Sequence, residues 1–235
     1  MNKELSIVIP ILNEEKNIEP LTNKIRKELK KFKFQIIFVD DSSNDNSKKV
    51  LKKLSLKHKF FKPILRNKTR DLTRSCFDGI EKSKYKNILI MDGDMQHDPK
   101  YIKKMFEIYH KQKLDLVVGA RKLIDKPNEG LSETRRFASI ILIKLFSIFN
   151  VRTNDPMSGF FLFKKDIYQK NKKKYFAKGF KILADILINS QPKLKTKDVF
   201  INFKRRYESE SKMNYKILII LIQFYFISLF KKLFI

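Results

Sequence analysis

The sequence predicts an α/β fold with a mostly parallel central sheet. Short apolar segments, typical of buried strands, alternate along the chain with longer segments whose apolar residues recur at helical spacing. Strands that alternate with helices form βαβ units, and the strands of such units run parallel. Polar clusters follow several of the apolar segments. Open α/β sheets bind their ligands beyond the carboxyl ends of their strands, so these clusters mark the expected site.

The first half of the chain shows the alternation most clearly. The predicted strands cover residues 5–12, 34–39, 63–65, 88–91 and 114–119. Helices are predicted through Ile18 to about residue 31, over 47–58 and over 70–80, and a further helix follows Pro99, because proline is favoured at the first helical position.

The second half is less regular. Residues 122–133 are polar and predict a mobile loop, and residues 205–212 predict a second polar loop. Helices are predicted over 134–149 and 179–188, a turn entering a strand over 155–163, and a strand over 199–204.

Composition limits the class of protein. The chain has 235 residues, 43% of them hydrophobic, which is enough for one domain with a sizeable core. Its one cysteine, Cys76, excludes an internal disulfide, and the N-terminus resembles no signal peptide, so we expect a reducing compartment. The net charge is +27, but the lysines are spread over all predicted helices. We therefore expect attraction to an anionic membrane surface and no nucleic-acid partner.

Two segments are unusually apolar. The helix over 134–149 has only a narrow polar stripe, so it is either buried on most sides or in contact with lipid. Residues 217–230 are nearly all apolar and would rise about 21 Å as a helix, against about 30 Å for the hydrocarbon core of a bilayer. We favour an anchor that lies in or near the membrane plane over a full crossing; a helix packed on the core is the soluble alternative.

Two carboxylates follow the apolar run 88–91. Asp92 and Asp94 stand one residue apart, and Gln96 is two residues further on. Hard oxygen ligands at a strand end suit Mg²⁺ or Mn²⁺, which few protein groups hold and phosphate oxygens complete. The alternative is a polar turn without a ligand.

Five motifs stand in the order found in one enzyme family. They are SIVIPILNE (6–14), VDDSS (39–43), DGDMQH (92–97), DPMSGF (155–160) and RYESESK (206–212). From residue 5 to about residue 230, the chain resembles the dolichyl-phosphate mannose synthases, and more broadly the polyprenyl-phosphate sugar transferases of glycosyltransferase family 2. The resemblance implies a GT-A (Rossmann-like) fold, a sugar-nucleotide donor, and Mg²⁺ or Mn²⁺ as the cofactor.

The resemblance also implies roles for particular residues. The nucleotide-sugar site would comprise Pro10, Leu12, Glu14, Val39, Asp41, Asp92, Gly93, Asp94, Arg121, Arg206 and Lys212. Asp92, Asp94 and Gln96 would bind the metal, and Asp92, Asp94 and Arg206 would be catalytic. The phosphate of the lipid acceptor would meet Arg121, Arg135 and Ser139. The chain departs from the family pattern twice: Leu12 replaces the usual aromatic residue, and Ser209 replaces the usual glycine of the basic loop.

These roles imply an inverting transferase that moves a hexose from GDP-mannose or a UDP-sugar to a polyprenyl or dolichyl phosphate. Mannose is the favoured hexose. The acceptor phosphate is already ionised near neutral pH, so no strong general base is required, and the sequence offers no evident one. One alternative is a family-2 enzyme that transfers UDP-glucose or another UDP-sugar to undecaprenyl phosphate or to a saccharide. Another is a non-catalytic basic protein that binds membranes.

The expected organisation follows from these roles. Residues 1–212 would form the GT-A catalytic domain, in which residues 134–150 are an amphipathic interface helix, and residues 213–235 would form a hydrophobic membrane anchor. We expect the protein at the cytoplasmic face of a membrane, either peripheral or anchored by its C-terminus.

Overall fold

A computed structural model of the chain describes residues 3–122, 133–204 and 215–234, and only the backbone of residues 133–136, 138, 139 and 215–218. The predicted loops over 122–133 and 205–212 therefore fall almost entirely outside the described residues.

The centre of the fold is a seven-stranded sheet. Its strands are β1 (Glu4–Ile11), β2 (Lys33–Asp40), β3 (Phe61–Leu65), β4 (Asn87–Ile90), β5 (Leu116–Arg121), β6 (Phe161–Lys164) and β7 (Thr196–Ile201). The order across the sheet is β3-β2-β1-β4-β6-β5-β7. Among the strands that the structure describes, β6 alone runs antiparallel to its neighbours, β4 and β5, and the other pairs are parallel. The predicted mostly parallel α/β sheet is confirmed.

The helices are α1 (Glu15–Glu28), α2 (Ser47–Lys57), α3 (Leu72–Glu81), α4 (Tyr101–Lys111), α5 (Glu133–Ser147), α6 (Lys165–Asn171), α7 (Ile182–Asn189) and α8 (Tyr215–Phe234). The helix predicted to follow Pro99 is α4, and the prediction is confirmed. The carbonyl of Asp98 accepts a hydrogen bond from Tyr101 N at 3.2 Å, so a turn precedes α4. The short helix α6 has no counterpart in the sequence prediction.

Helices cover both faces of the sheet, because side chains along a strand point alternately to its two sides. Leu5, Ile7 and Ile9 of β1 pack into a core with α1, α2 and α4. Val8 points the other way, into a core with α3, α6 and α7. The sheet is therefore buried on both faces, and its polar clusters lie at its carboxyl edge.

The two apolar helices, α5 and α8, pack against each other. Phe146 of α5 and Phe224 of α8 are both buried, and their ring centroids are 5.7 Å apart. Large apolar side chains are also exposed on and next to both helices: Phe137, Ile141 and Leu145 on α5, Ile148 just after α5, and Ile219, Ile222, Phe226, Ile227, Phe230, Leu233 and Phe234 on α8. We call these eleven side chains the apolar surface. Within the described ranges, no helix has both the length and the apolar character needed to cross a membrane.

Candidate active site

The sheet brings the predicted polar clusters to one edge. Ile11, the last residue of β1, pairs with Asp40 at the end of β2, and Asp41 N then donates to Ile11 O at 2.9 Å. On the other side of β1, Met91 N donates to Val8 O at 3.1 Å, which places Asp92 beyond the same edge. The two clusters that lie about fifty residues apart in the sequence are thus neighbours in the fold.

Close backbone packing holds the segment that carries Asp92 and Asp94. A Cβ atom at Gly93 would stand 2.5 Å from Cγ2 of Ile11, so the segment can approach β1 only with glycine at this position. A Cβ atom at Gly159 would stand 2.6 Å from Cγ of Asp92. The carboxylate of Asp92 therefore occupies the space that any other residue at position 159 would fill.

Gln96 joins this segment to Lys204, three residues after the end of β7. Its Nε2 donates to Lys204 O at 2.8 Å, and Lys204 N donates to Gln96 O at 3.2 Å. Gln96 N donates to Oδ1 of Asp94 at 3.1 Å. Because the amide nitrogen is turned toward Lys204, the amide oxygen is the atom of Gln96 that is suited to a cation.

The donor set fits a small, hard cation. In the described part of the chain, no group of three or more His, Cys, Asp and Glu side chains is arranged to hold a metal ion. The predicted donor set, Asp92, Asp94 and Gln96, comprises two carboxylates and one amide oxygen. Mg²⁺ is typically bound by one or two carboxylates and completed by water and substrate phosphates. The set suits a metal that arrives with a diphosphate.

Arg121 is held by a carboxylate that the sequence reasoning did not single out. Its Nε and Nη2 donate to Oδ2 and Oδ1 of Asp155 at 2.7 and 2.8 Å, and Asp155 is fully buried. Burial disfavours the charge of Arg121, but Asp155, by charge and by hydrogen bonding, raises the pKa of the guanidinium above its ordinary value. The available signal was the DPMSGF motif, which supplies both Asp155 and Gly159.

His97 lies beside the metal segment and is buried. Its ring is 5.2 Å from those of Phe160 and Phe203, and its Nδ1 is 3.5 Å from Oδ2 of Asp92. Burial, and then the positive charge of Arg121, lower the pKa of His97 to about 3, although Asp155 acts in the opposite direction. The imidazole is therefore neutral near pH 7.

The residues assigned to the nucleoside lie at the ends of β1 and β2. Pro10 and Val39 are buried within these strands, and Leu12 is partly exposed. Glu14 accepts a hydrogen bond from Asn17 Nδ2 at 2.7 Å and is 6% exposed. The structure places these four residues at the expected edge, and their contact with a nucleoside stays a prediction.

Asp41 belongs to a buried polar network that sequence reasoning missed. Its Oδ1 pairs with Nη1 of Arg66, and its Oδ2 accepts from Asp71 N at 2.7 Å. Arg66 is 5% exposed and also donates from Nε to Asp78 Oδ2 at 2.8 Å. The network fixes the chain that follows β3 against the end of β2. An isolated arginine in a basic chain carries no sequence signal of such a role.

Four predicted site residues cannot be placed by their side chains. Arg135 and Ser139 lie on α5, of which the structure describes only the backbone at these positions. Arg206 and Lys212 fall outside the described residues. Their roles stay predictions.

The sequence and the fold both match known glycosyltransferases. Residues 6–172 match the sequence profile of glycosyl transferase family 2. The dolichol-phosphate mannosyltransferase of Pyrococcus furiosus is 31% identical over 216 residues, which are 91% of this chain and 60% of that protein. The dolichol-phosphate mannosyltransferase of Saccharomyces cerevisiae is 31% identical over 232 residues, covering 93% of this chain and 84% of that protein. This chain thus spans less than two thirds of the Pyrococcus protein.

Solved structures agree at the level of the fold. Glucosyl-3-phosphoglycerate synthase from Mycobacterium tuberculosis, crystallised with Mn²⁺, UDP and phosphoglyceric acid, superposes with a TM-score of 0.71 at 13% identity, over 99% of this chain and 79% of that one. TarS residues 1–349 from S. aureus superpose with a TM-score of 0.61 at 14% identity, over 97% of this chain and 65% of that one. The sequence match and the shared GT-A fold assign this chain to glycosyl transferase family 2.

Proposed function

We propose that this chain transfers a hexose, mannose first, from a sugar nucleotide to the phosphate of a polyprenyl or dolichyl lipid, with inversion at the sugar carbon. The observation that carries the proposal is the position of Asp92 and Asp94. They follow β4 at the carboxyl edge of a GT-A sheet, and Asp92 interacts electrostatically with Arg121, which is paired with Asp155. The two mannosyltransferase relatives support the choice of sugar and acceptor.

The donor end of the reaction needs positive charge. Breaking the bond between sugar and oxygen leaves negative charge on the departing diphosphate. Asp92, Asp94 and Gln96 would hold Mg²⁺ or Mn²⁺, which would supply charge neutralisation for that diphosphate. The resemblance adds Arg206 and Lys212 as further cations on the diphosphate. In this proposal the protein residues position the two substrates and stabilise the charge on the departing diphosphate.

The attack by the acceptor phosphate requires no strong general base. A phosphate monoester is ionised near pH 7, because its second pKa is about 6. His97 is a poor proton acceptor, because its pKa is lowered to about 3. A direct displacement by a phosphate oxygen therefore suits the described residues, and it predicts inverted configuration in the product.

A lipid acceptor also gives the apolar surface a role. Residues 213–235 would act as a membrane anchor, and the helix over 134–150 would lie at the interface beside the catalytic domain over 1–212. Lys231 and Lys232 near the end of α8 and the net charge of +27 favour an anionic leaflet. The isoprenoid tail would stay in the bilayer while its phosphate reaches Arg121 and the start of α5. We place the enzyme at the cytoplasmic face of that membrane.

The experiment is a transfer assay with the full chain. Vesicles that contain polyprenyl phosphate are incubated with Mn²⁺ and, in separate reactions, labelled GDP-mannose, UDP-glucose and other UDP-sugars. We expect labelled lipid-linked mannose from GDP-mannose, and we expect Asp94→Asn to abolish it. Asp166→Asn, an exposed aspartate on α6, is the matched control and should behave as the wild type. A lipid product only from a UDP-sugar, or a product on a saccharide, would replace this proposal with the corresponding alternative.

A further inference from the structure

Lys181 immediately precedes α7, whose Ala184 belongs to a buried cluster with Met157 of the DPMSGF turn. The segment that leads to it, residues 174–181, runs beside α8. The rings of Phe176 and Phe224 are 5.5 Å apart, and a Cβ atom at Gly179 would stand 2.8 Å from Cγ2 of Ile220. The end of this segment is therefore in contact with the helix that carries most of the apolar surface.

Two aspartates fix the backbone of this segment. Oδ2 of Asp71 accepts from Gly179 N at 2.8 Å, and Gly179 O accepts from Thr73 N at 2.9 Å. On the other side, the carboxylate of Asp185 accepts from Phe176 N at 3.0 Å and from Ala177 N at 2.9 Å. A turn that is held from α3 and from α7 presents the following lysine in a defined position.

The charges of Arg121, Asp155 and Asp92 act on the ammonium of Lys181. Burial, and then the charge of Arg121, lower the pKa of Lys181 to about 8, while Asp155 and Asp92 act in the opposite direction. In the described part of the chain, no carboxylate lies within ion-pair distance of this ammonium. Lys181 is therefore a cation near the site that lacks a close anionic partner among those residues.

Arg121 differs from Lys181 in this respect. Two of its nitrogen atoms already bind Asp155, so the pair carries no net charge. A phosphate with up to two negative charges is stabilised best by a cation that is not already neutralised. The donor diphosphate has the metal segment for this purpose. The acceptor phosphate needs a cation on the side that faces the apolar surface, and the segment that ends at Lys181 contacts α8.

We infer that Lys181 binds the phosphate of the acceptor lipid, next to the Arg121–Asp155 pair. The inference rests on the proposed transfer to a lipid phosphate. Lys181 is then a substrate-binding residue that orients the attacking phosphate oxygen, and the contact of Gly179 with α8 places it where a phosphate leaves the bilayer surface.

The test compares Lys181→Met, Lys181→Arg and Lys111→Met in the full chain, with polyprenyl phosphate in vesicles. Lys111 is an exposed lysine at the end of α4, so its substitution controls for loss of charge. Loss of a charge-assisted hydrogen bond should raise the KM for polyprenyl phosphate about tenfold to a hundredfold in Lys181→Met. The KM for the sugar nucleotide should stay within about twofold, and Lys181→Arg should recover most of the loss.

Each other outcome overturns the inference. A raised KM for the sugar nucleotide with an unchanged KM for the lipid would assign Lys181 to the donor diphosphate. Unchanged constants in an active Lys181→Met enzyme would leave Lys181 without a substrate role. If Lys181→Met fails to fold, a KM for the lipid in Lys181→Gln that equals the wild-type value contradicts the inference. A wild-type enzyme that makes no lipid-linked sugar with any donor refutes the proposed function itself, a result that the variants alone cannot give.

Discussion

Both carboxylate oxygens of Asp155 accept hydrogen bonds from Arg121: Oδ2 from Nε at 2.7 Å and Oδ1 from Nη2 at 2.8 Å. Asp155 has no exposed surface. The pair joins two parts of the chain that are 34 residues apart. It also explains why the DPMSGF turn lies against the site: Asp155 fixes Arg121, and Gly159 makes room for Asp92.

Asp155→Asn should destabilise the protein strongly, because it leaves the guanidinium of Arg121 buried without its counter-charge. We expect the free energy of unfolding to fall by about 3–5 kcal/mol, as is typical when one partner of a buried ion pair is removed. Urea denaturation measures this change. The control is Asp115→Asn, which breaks an exposed pair with Lys164 and should cost no more than about 1 kcal/mol. Equal losses in the two variants would contradict the account.

Gly159→Ala should weaken metal binding with little effect on the fold. The added Cβ atom would overlap the carboxylate of Asp92 and displace it, while the backbone is free to remain in place. We expect affinity for Mn²⁺ in the presence of a nucleoside diphosphate to fall about tenfold to a hundredfold, as for other changes that misplace a metal ligand. Calorimetry measures the affinity, and the thermal midpoint serves as the control for folding. Wild-type affinity in the variant would show that the position of Asp92 is unimportant.

Phe226→Ser together with Phe230→Ser should release the protein from vesicles. Both side chains are exposed on α8, so their loss should leave the free energy of unfolding nearly unchanged. Burial of one phenylalanine is worth about 1.5–3 kcal/mol, so partitioning onto anionic vesicles should fall at least about tenfold. Co-sedimentation measures it.

The matched control for that variant is Leu56→Ser. Leu56 is 89% exposed on α2, away from the apolar surface, and its substitution should leave partitioning unchanged. Equal effects of the α2 and α8 variants would exclude the apolar surface as the membrane contact.

The pH dependence of catalysis should show the loss of the positive charge of Lys181. Its pKa is lowered to about 8, so in the free enzyme the ammonium is charged below that pH and neutral above it. Of the charged groups that act on it, Arg121, Asp155 and Asp92, the guanidinium of Arg121 stays protonated in this range because its pKa is raised. The acceptor phosphate is already dianionic there. We expect kcat/KM for the lipid phosphate to fall above pH 8.

The matching variant is Lys181→Arg. An arginine stays charged throughout this range, so the fall above pH 8 should disappear. Identical profiles for wild type and variant would contradict the assignment.

The sheet and the metal segment were predictable because their signals are local. Alternating apolar and polar segments define β1 and β2 without reference to the rest of the chain. The spacing of Asp92 and Asp94 after an apolar run similarly identifies one end of the site. The antiparallel direction of β6 was not predictable in the same way, because pairing with β4 and β5 is a tertiary contact.

The missed residues act through contacts that the sequence does not record. Arg66 reaches Asp41 across 25 residues, and Lys181 meets the charges of Arg121 and Asp155 only in the folded chain. In a chain with 52 lysines and arginines, no pattern separates these two from the solvated majority. Asp155 lies within a motif, but its ion pair with Arg121 is visible only in the structure.

The most direct test of the central claim is calorimetric titration of the full chain with GDP-mannose in the presence of Mn²⁺, repeated on Asp94→Asn. The account predicts saturable binding by the wild type, at least about tenfold weaker binding by the variant, and loss of most wild-type affinity when the metal is chelated. Equal binding by both proteins, or wild-type binding that chelation leaves unchanged, would contradict it.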